Sequence, residues 1–232
     1  AAGLGYYIGH RVGYSQGQNA PYTNPDNNNP EQDCSNSFCP VVKPVIYLYP
    51  KQTEKVSVSL DYPAGFSRTI PAYNAQTGWQ VLAKPDGSLT NLSDGQKYPY
   101  LFWEGKPAAI NYDMNQGFVI KGSQTTSFLR QKLTYMGLTP SETSDFIAYW
   151  QSTLEHNPYN LIHFAGSEYT DYAQLHVTPT PDSELRVFMV YEPLDHSQTI
   201  TPQTLPTFHR HGFAVVEWGG TRINPAVSDS TH

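Results

Sequence analysis

Short apolar runs separated by turn-forming residues follow one another through most of this chain. Residues 43–50, KPVIYLYP, contain an unbroken apolar and aromatic run with proline near each end, which predicts a strand buried on both faces. Apolar and polar residues alternate in VSVSL at 56–60 and WQVLA at 79–83, which predicts half-exposed strands. LRVFMVY at 185–191 and FAVVEW at 213–218 are again typical of buried strands.

The apolar period changes from strand-like to helical after Gly122. We expect Ser123 to cap a helix that ends at Gly137, since glycine is the common residue just past a helix C-terminus. Thr139-Pro140-Ser141-Glu142 has the form of a capping box and predicts a second helix that ends before Pro158. The predicted fold class is α+β, a mostly antiparallel sheet or sandwich with one inserted helical hairpin, preceded by an extended N-terminal tail.

The pattern divides the chain into four parts. Residues 1–18 are an amphipathic, Gly-rich segment, and 19–42 are a polar linker. Residues 43–223 form the globular α+β domain, and 224–232 are a C-terminal tail.

The N-terminal segment carries an apolar row that suits one face of a strand: Leu4, Tyr6, Ile8, Val12 and Tyr14. The same stretch has a glycine at every fourth position from Gly5 to Gly17, a spacing that favours close helix packing in membranes. In water each glycine costs a helix about 1 kcal/mol, so the strand interpretation is preferred. A lone amphipathic strand needs a sheet edge to pair with, which makes this segment a donor-strand candidate.

The linker holds both cysteines and a group of acids. We predict that Cys34 and Cys39 form a local disulfide, because a CxxxxC without a nearby His or a second pair of cysteines is a poor zinc site; free thiols are the alternative. Asp26, Glu31 and Asp33 are calcium candidates, but the loop lacks the ligand spacing of a calcium-binding loop. No cofactor is expected apart from this calcium alternative.

Composition narrows the class of protein. Charged residues are 15% of the chain, against roughly 25% in an average globular protein, and aromatic residues are 13%. A net charge of −6 without a basic cluster excludes a nucleic-acid partner. The start at Ala1-Ala2-Gly3 suggests a chain cut after a signal peptide or trimmed beyond a membrane anchor. Together with the expected disulfide, these features predict an extracellular or cell-envelope location.

Two glutamates stand beside tryptophans at the ends of apolar strands, Glu104 after Trp103 and Glu217 before Trp218. Two carboxylates in aromatic surroundings are what a glycosidase needs, with tryptophan as a sugar platform. The alternative is structural, with each glutamate paired to Arg186, Lys43 or a backbone amide. Both glutamates are therefore candidates only, and no catalytic residue is assigned.

Other chemistry has less support. The histidines show no HExxH or comparable spacing, although His163 and His176 are candidates for cross-strand neighbours, so no metal site is predicted. GxSxG is absent, as is a phosphate-binding glycine loop. One aromatic group suits either a carbohydrate-binding surface or a sheet core: Tyr47, Tyr49, Tyr98, Tyr100, Phe102 and Trp103.

Several motifs in order resemble an uncharacterised family of bacterial and fungal hypothetical proteins. They are KPVIYLYP, GWQVLAKPDGSL, YPYLFWEG, GFVIKG, NPYN, LRVFMVY and FAVVEWGG, and the resemblance covers residues 43–223. It implies no known activity and supplies no catalytic residues. The tail and the cysteine linker lie outside it.

The leading functional hypothesis is a non-enzymatic surface protein that assembles head-to-tail into a fibre or sheath, its N-terminal segment inserting into a neighbouring copy. The partner is then a second copy of this chain. One alternative is a secreted glycan-binding or glycan-hydrolysing domain that uses Glu104 and Glu217 with their tryptophan neighbours. Another is a membrane-tethered envelope domain, with residues 1–18 next to a removed anchor.

Overall fold

The computed structural model describes residues 38–223. This part of the chain folds into thirteen strands and three α-helices. The strands are β1 Phe38–Tyr49, β2 Glu54–Asp61, β3 Phe66–Ile70, β4 Trp79–Ala83, β5 Leu89–Asn91, β6 Lys97–Tyr98, β7 Leu101–Ala109, β8 Gln116–Lys121, β9 Tyr159–Ala165, β10 Gln174–Thr178, β11 Ser183–Leu194, β12 Thr201–Pro202 and β13 Ala214–Arg222. The helices are α1 Thr125–Met136, α2 Pro140–His156 and α3 Ser167–Thr170.

The strands form two sheets. The larger has eight strands in the order β12-β8-β9-β11-β13-β1-β7-β3, and the smaller has five in the order β10-β2-β4-β5-β6. Pairing is antiparallel except between β11 and β13 and between β12 and β8. The predicted class, a mostly antiparallel α+β fold with an inserted helical hairpin, is confirmed.

The eight-stranded sheet lies between two layers, because alternate residues of its central strands belong to different apolar clusters. Ile46, Leu48 and Val215 pack towards the five-stranded sheet, in the first cluster. Val45 and Val216 pack towards the helical hairpin, in the second cluster. The central strands are therefore buried on both faces, as their unbroken apolar sequence predicts.

The helical hairpin begins and ends where local signals place it, with one correction. Gly137 has φ 105° and closes α1, with the Leu138 N–H donating to the Leu133 carbonyl. Thr139 and Glu142 form the predicted capping box at the start of α2. Ser123 does not cap α1: it lies in a short 3₁₀ turn, and Gln124 is the N-cap without a side-chain hydrogen bond.

The first strand is longer than the motif that predicted it. It begins at Phe38, inside the segment predicted as linker, because Phe38 to Val42 continue the apolar run and pair with β7. None of the helices in residues 38–223 is long and apolar enough to span a bilayer.

Candidate functional site

A β-bulge in the middle of β1 places Lys43 in an unusual conformation. The pairing register of β1 shifts between Val42 and Val45 against β13, and between Val41 and Val45 against β7. Within this bulge Lys43 has φ 58°, and no other non-glycine residue of the described chain has a positive φ. Bulges and left-handed non-glycine residues cost free energy and cluster at functional sites, where they redirect a side chain.

The bulge also needs space on the neighbouring strand. A Cβ on Gly219 would lie 3.0 Å from the Pro44 Cα, so the glycine of the FAVVEWGG motif lets β13 approach the distorted part of β1. Two motifs that are far apart in the sequence thus meet at the bulge.

The redirected Lys43 side chain lies among aromatic rings of three elements. Its Nζ is 4.9 Å from the ring centre of Phe102 on β7, 5.3 Å from that of Tyr149 on α2 and 5.7 Å from that of Tyr100. These distances suit cation–π contact. Within the described residues no carboxylate lies within 4.0 Å of this amine, so rings rather than a direct ion pair hold it.

Charged groups surround these rings. Burial lowers the pKa of the Lys43 amine; Glu104 opposes that shift, Arg68 adds to it, and Asp145 opposes it. Burial raises the pKa of the Glu104 carboxyl, against the opposing charges of Arg68 and Lys43. We call this group the bulge site; it comprises Lys43, Arg68, Tyr100, Phe102, Glu104, Asp145 and Tyr149. An amine and a carboxyl with oppositely displaced pKa values are a feature of functional sites.

Two tyrosines, of which Tyr47 is buried and Tyr49 half-buried, extend the aromatic cluster along β1. The Tyr47 ring lies 5.4 Å from Tyr100 and 6.2 Å from Tyr49. The Tyr47 hydroxyl donates to Asp145 at 3.1 Å, and the Tyr49 hydroxyl donates to Glu142 at 2.7 Å. Both rings are therefore anchored to α2 as well as to the sheet.

Glu142 and Arg210 fix the Tyr49 end of this aromatic cluster. Glu142 is 1% exposed and accepts from Arg210 Nη1 at 2.9 Å, from Arg210 Nη2 and from the Thr139 N–H. Burial opposes ionisation of Glu142, but the hydrogen bonds from Arg210 and Tyr49 outweigh it and lower the pKa of the carboxyl. The Arg210 guanidinium also lies over the Tyr49 ring, at 5.5 Å.

The second sequence candidate, Glu217, is part of a buried structural group. It is 1% exposed and accepts from Arg186 Nε at 2.7 Å, from the Trp103 indole N–H at 3.0 Å and from the Tyr169 hydroxyl at 3.2 Å. Arg186 also lies over the Tyr169 ring, at 4.9 Å, and donates to the Ala173 carbonyl at 2.6 Å. The Glu217 carboxylate is therefore hydrogen-bonded by other residues of the fold, as the structural alternative predicts.

Glu104 and Glu217 lie on opposite faces of the eight-stranded sheet. Trp103 faces the five-stranded sheet and bonds Glu217, so the next residue of β7, Glu104, points to the other face with Phe102. Two carboxylates separated by a sheet cannot flank one glycosidic bond. The geometry therefore does not support a shared catalytic role for this pair.

The tryptophans that motivated the sugar-platform hypothesis are also in the core. Trp103 is fully buried and Trp218 is 1% exposed. Tyr98 lies in β6 of the smaller sheet and donates to Asp94. The rings near Glu104 are instead Tyr100, Phe102 and Tyr149, of which Tyr149 is 37% exposed.

Sequence reasoning named Glu104 and most of the rings but missed Lys43 as their centre. Its only signal was a lysine directly before Pro44 inside an otherwise apolar motif. Lys43 was considered only as a structural partner, because the bulge depends on pairing with both neighbouring strands.

The two histidines that were candidates for cross-strand neighbours lie on different sheets. His163 lies on β9 of the larger sheet, with its ring nitrogens 2.9 Å from the Gln116 carbonyl and 3.2 Å from Glu168, whereas His176 lies on β10 of the smaller sheet. Within residues 38–223 no group of His, Cys, Asp and Glu can hold a metal ion. An open cleft of about 380 Å³ lies beside Glu168, between Ile110 and Tyr172.

Several predicted features lie outside the described residues. They are the tail residues Leu4, Tyr6, Ile8, Val12 and Tyr14, the calcium candidates Asp26, Glu31 and Asp33, and Cys34. Cys39 is 6% exposed at the start of β1 and is not a free thiol. Its pairing with Cys34 stays a prediction.

Comparison with known proteins gives one partial relative. The chain is 51% identical over 65 residues to the "Uncharacterized protein in bglA 3'region" of Butyrivibrio fibrisolvens. The aligned stretch covers 28% of this chain and 66% of that protein, slightly under two thirds of its length. No family model matches the chain, and no solved structure matches it significantly. These findings are consistent with an uncharacterised family.

Proposed function

We propose that this chain is an extracytoplasmic glycan-binding domain and that the bulge site is its ligand site. The observation that carries the proposal is the aromatic cluster that runs from half-buried Tyr49 through buried Tyr47 and half-buried Tyr100 to Tyr149, which is exposed. The charged residues Lys43, Arg68, Glu104 and Asp145 lie beside this cluster. Sugar rings stack their apolar faces on aromatic side chains, and their hydroxyls bind carboxylates and cationic side chains. Binding sites commonly combine such rings with a few oriented polar groups.

The family resemblance of residues 43–223 is part of this proposal. KPVIYLYP supplies Lys43, Tyr47 and Tyr49, and YPYLFWEG supplies Tyr100 and Glu104. The two most distinctive motifs therefore contribute to one cluster of aromatic and charged residues. We propose binding rather than hydrolysis, because Glu217 lies on the opposite face of the sheet and Asp145, the other carboxylate of the bulge site, accepts a hydrogen bond from the Tyr47 hydroxyl.

The test compares two exposed tyrosines. Tyr149 at the bulge site is 37% exposed, and Tyr135 on α1 is 55% exposed and lies outside the site. Binding of the purified chain to a panel of plant and bacterial polysaccharides is measured by affinity electrophoresis, and any ligand found is titrated by calorimetry. We expect Tyr149→Ala to weaken binding about tenfold, corresponding to about 1.4 kcal/mol, and Tyr135→Ala to have no effect.

Two results would overturn the proposal. One is that no polysaccharide or oligosaccharide of the panel binds the folded chain. The other is that a ligand binds but Tyr149→Ala and Glu104→Gln both leave its affinity unchanged, which would place the site elsewhere.

The second candidate is head-to-tail assembly through residues 1–18, and β10 favours it. In the described part of the chain β10 pairs only with β2 and ends the five-stranded sheet. Its Leu175 and Val177 face the core, so an added strand with an apolar row would extend that face. A donor carrying Leu4, Tyr6 and Ile8 has this alternation.

Light scattering of the full chain and of residues 19–232 tests the assembly candidate. We expect the full chain to form concentration-dependent polymers and the shortened chain to be monomeric with the same circular dichroism spectrum. Compact monomers in both samples would exclude assembly. If the shortened chain differs from the full chain only by losing its association with membranes, the membrane-tethered alternative is supported.

A further inference from the structure

We propose that Lys43 is a reactive amine that forms an imine with small aldehydes at the bulge site. This chemistry goes beyond glycan binding and does not depend on it, because the ligand is defined by its carbonyl group. The argument starts from the conformation of Lys43. A lysine at φ 58° before a proline is costly, and the bulge that imposes it interrupts pairing on both sides of β1. This conformation directs the Lys43 amine into the ring cluster.

The surroundings of the amine suit nucleophilic addition. Lysine becomes a nucleophile when desolvation favours its neutral form. Here rings at 4.9, 5.3 and 5.7 Å from Nζ exclude water from the amine, and no described carboxylate lies within 4.0 Å of it. Cation–π contact with the same rings favours the ammonium ion, and loss of hydration favours the neutral amine. The groups that act on its charge are Arg68 from β3, Glu104 from β7 and Asp145 from α2. Burial lowers the amine pKa, in the direction that the chemistry requires.

Glu104 is placed to be the proton donor in this reaction, because it leaves the same face of β7 as Phe102, whose ring lies 4.9 Å from Nζ, and is the charged group that acts most strongly on the amine. Burial also raises the pKa of the Glu104 carboxyl, which favours its protonated form. The neutral amine adds its electron pair to the carbonyl carbon, and the oxygen takes a proton from Glu104. The Glu104 carboxylate then takes one nitrogen proton and gives it to the hydroxyl, which leaves as water as the carbon–nitrogen double bond forms, and the remaining nitrogen proton returns to Glu104. The net reaction joins amine and aldehyde and releases one water.

Reductive trapping with benzaldehyde and cyanoborohydride tests the proposal, because reduction makes the imine a stable secondary amine that peptide mass spectrometry locates. Two lysines in the same sample are controls. Lys51 has a side chain 68% exposed, and Lys132, on the helix α1, lies over the Phe118 and Phe128 rings at 4.8 and 5.8 Å. We expect Lys43 to be labelled about tenfold faster than either lysine near neutral pH, as for an amine activated by desolvation.

The labelling rates of the three lysines are compared in the wild-type chain, so the test does not require a variant to fold. Labelling of Lys43 no faster than Lys132 would overturn the proposal. Glu104→Gln should slow imine trapping while Lys43 remains reactive towards acetic anhydride, which needs no dehydration step. Equal trapping rates in Glu104→Gln and wild type would show that Glu104 takes no part in the reaction. Titration of the Lys43→Arg variant with the glycan ligand separately tests whether the bulge site binds glycans.

Discussion

Two glutamates, Glu142 and Glu217, are each 1% exposed, and each is paired with one arginine. Such pairs tie distant segments together: Arg210 joins a late loop to the start of α2, and Arg186 joins β11 to β13. Removing the arginine leaves a buried carboxylate without its cationic partner. This destabilises the fold more than replacing both members of the pair with apolar residues does.

At this scale we predict that Arg210→Met destabilises the fold in a pH-dependent way. The folded-state pKa of Glu142 lies below its ordinary value of 4.5, so the stabilisation is complete above that value and is lost as the pH falls through the folded pKa. We expect a loss of about 3 kcal/mol near neutral pH that shrinks at a pH well below 4.5, measured by urea unfolding at these two pH values. Arg130→Met, an exposed control on α1, should change little at either pH. Equal losses for Arg210→Met at both pH values would contradict the assignment.

Arg186→Met should cost about 3–5 kcal/mol, because Glu217 keeps only its bonds from Trp103 and Tyr169. The double variant Arg186→Met/Glu217→Leu should recover part of this loss, since it removes the unpaired charge. Chemical unfolding of the three chains measures the difference. A double variant less stable than Arg186→Met would show that Glu217 contributes mainly through its other hydrogen bonds.

At the scale of elements, Gly137 at the end of α1 can be compared with Gly95, so that the cost of backbone strain is separated from the cost of a steric clash. Gly137 has φ 105°, and a Cβ there would lie 2.8 Å from the Phe208 carbonyl oxygen. Gly95 has φ 69° with no atom within 4 Å of its Cβ position. We expect Gly95→Ala to cost about 1 kcal/mol and Gly137→Ala at least about 2 kcal/mol, since only the second must also displace backbone. Thermal unfolding of both variants measures this, and equal costs would show that the Phe208 loop moves freely.

The helical hairpin was predictable because its signals are local: Gly137 ends one helix, and the Thr139–Glu142 box begins the next. The order of strands was not predictable, because β11 and β13 pair in parallel across a long connection. The bulge at Lys43 escaped prediction for a related reason: it depends on the register of β1 against two strands distant in sequence. Glu104 was noticed through its motif, but which face it occupies follows only from the two-sided burial of β7.

At the scale of the whole molecule, the eight-stranded sheet couples the other two layers, because it contributes residues to both apolar clusters. Leu129 on α1 is fully buried in the cluster of the helical hairpin, so Leu129→Ala should cost about 2–5 kcal/mol. If the sheet transmits this loss, the five-stranded sheet on the far side should be destabilised equally. Leu92→Ala, at a leucine 46% exposed, is the matched control and should have almost no effect.

Hydrogen exchange measured peptide by peptide distinguishes a single cooperative unit from independently unfolding layers. In Leu129→Ala we expect the slowest amides of β4 and of α2 to lose protection by the same free energy, because both exchange only through unfolding of the shared sheet. Loss of protection confined to α1 and α2 would show that the hairpin opens as a separate unit. In that case the bulge site, which takes Tyr149 from α2 and Phe102 from β7, would open and close with the hairpin.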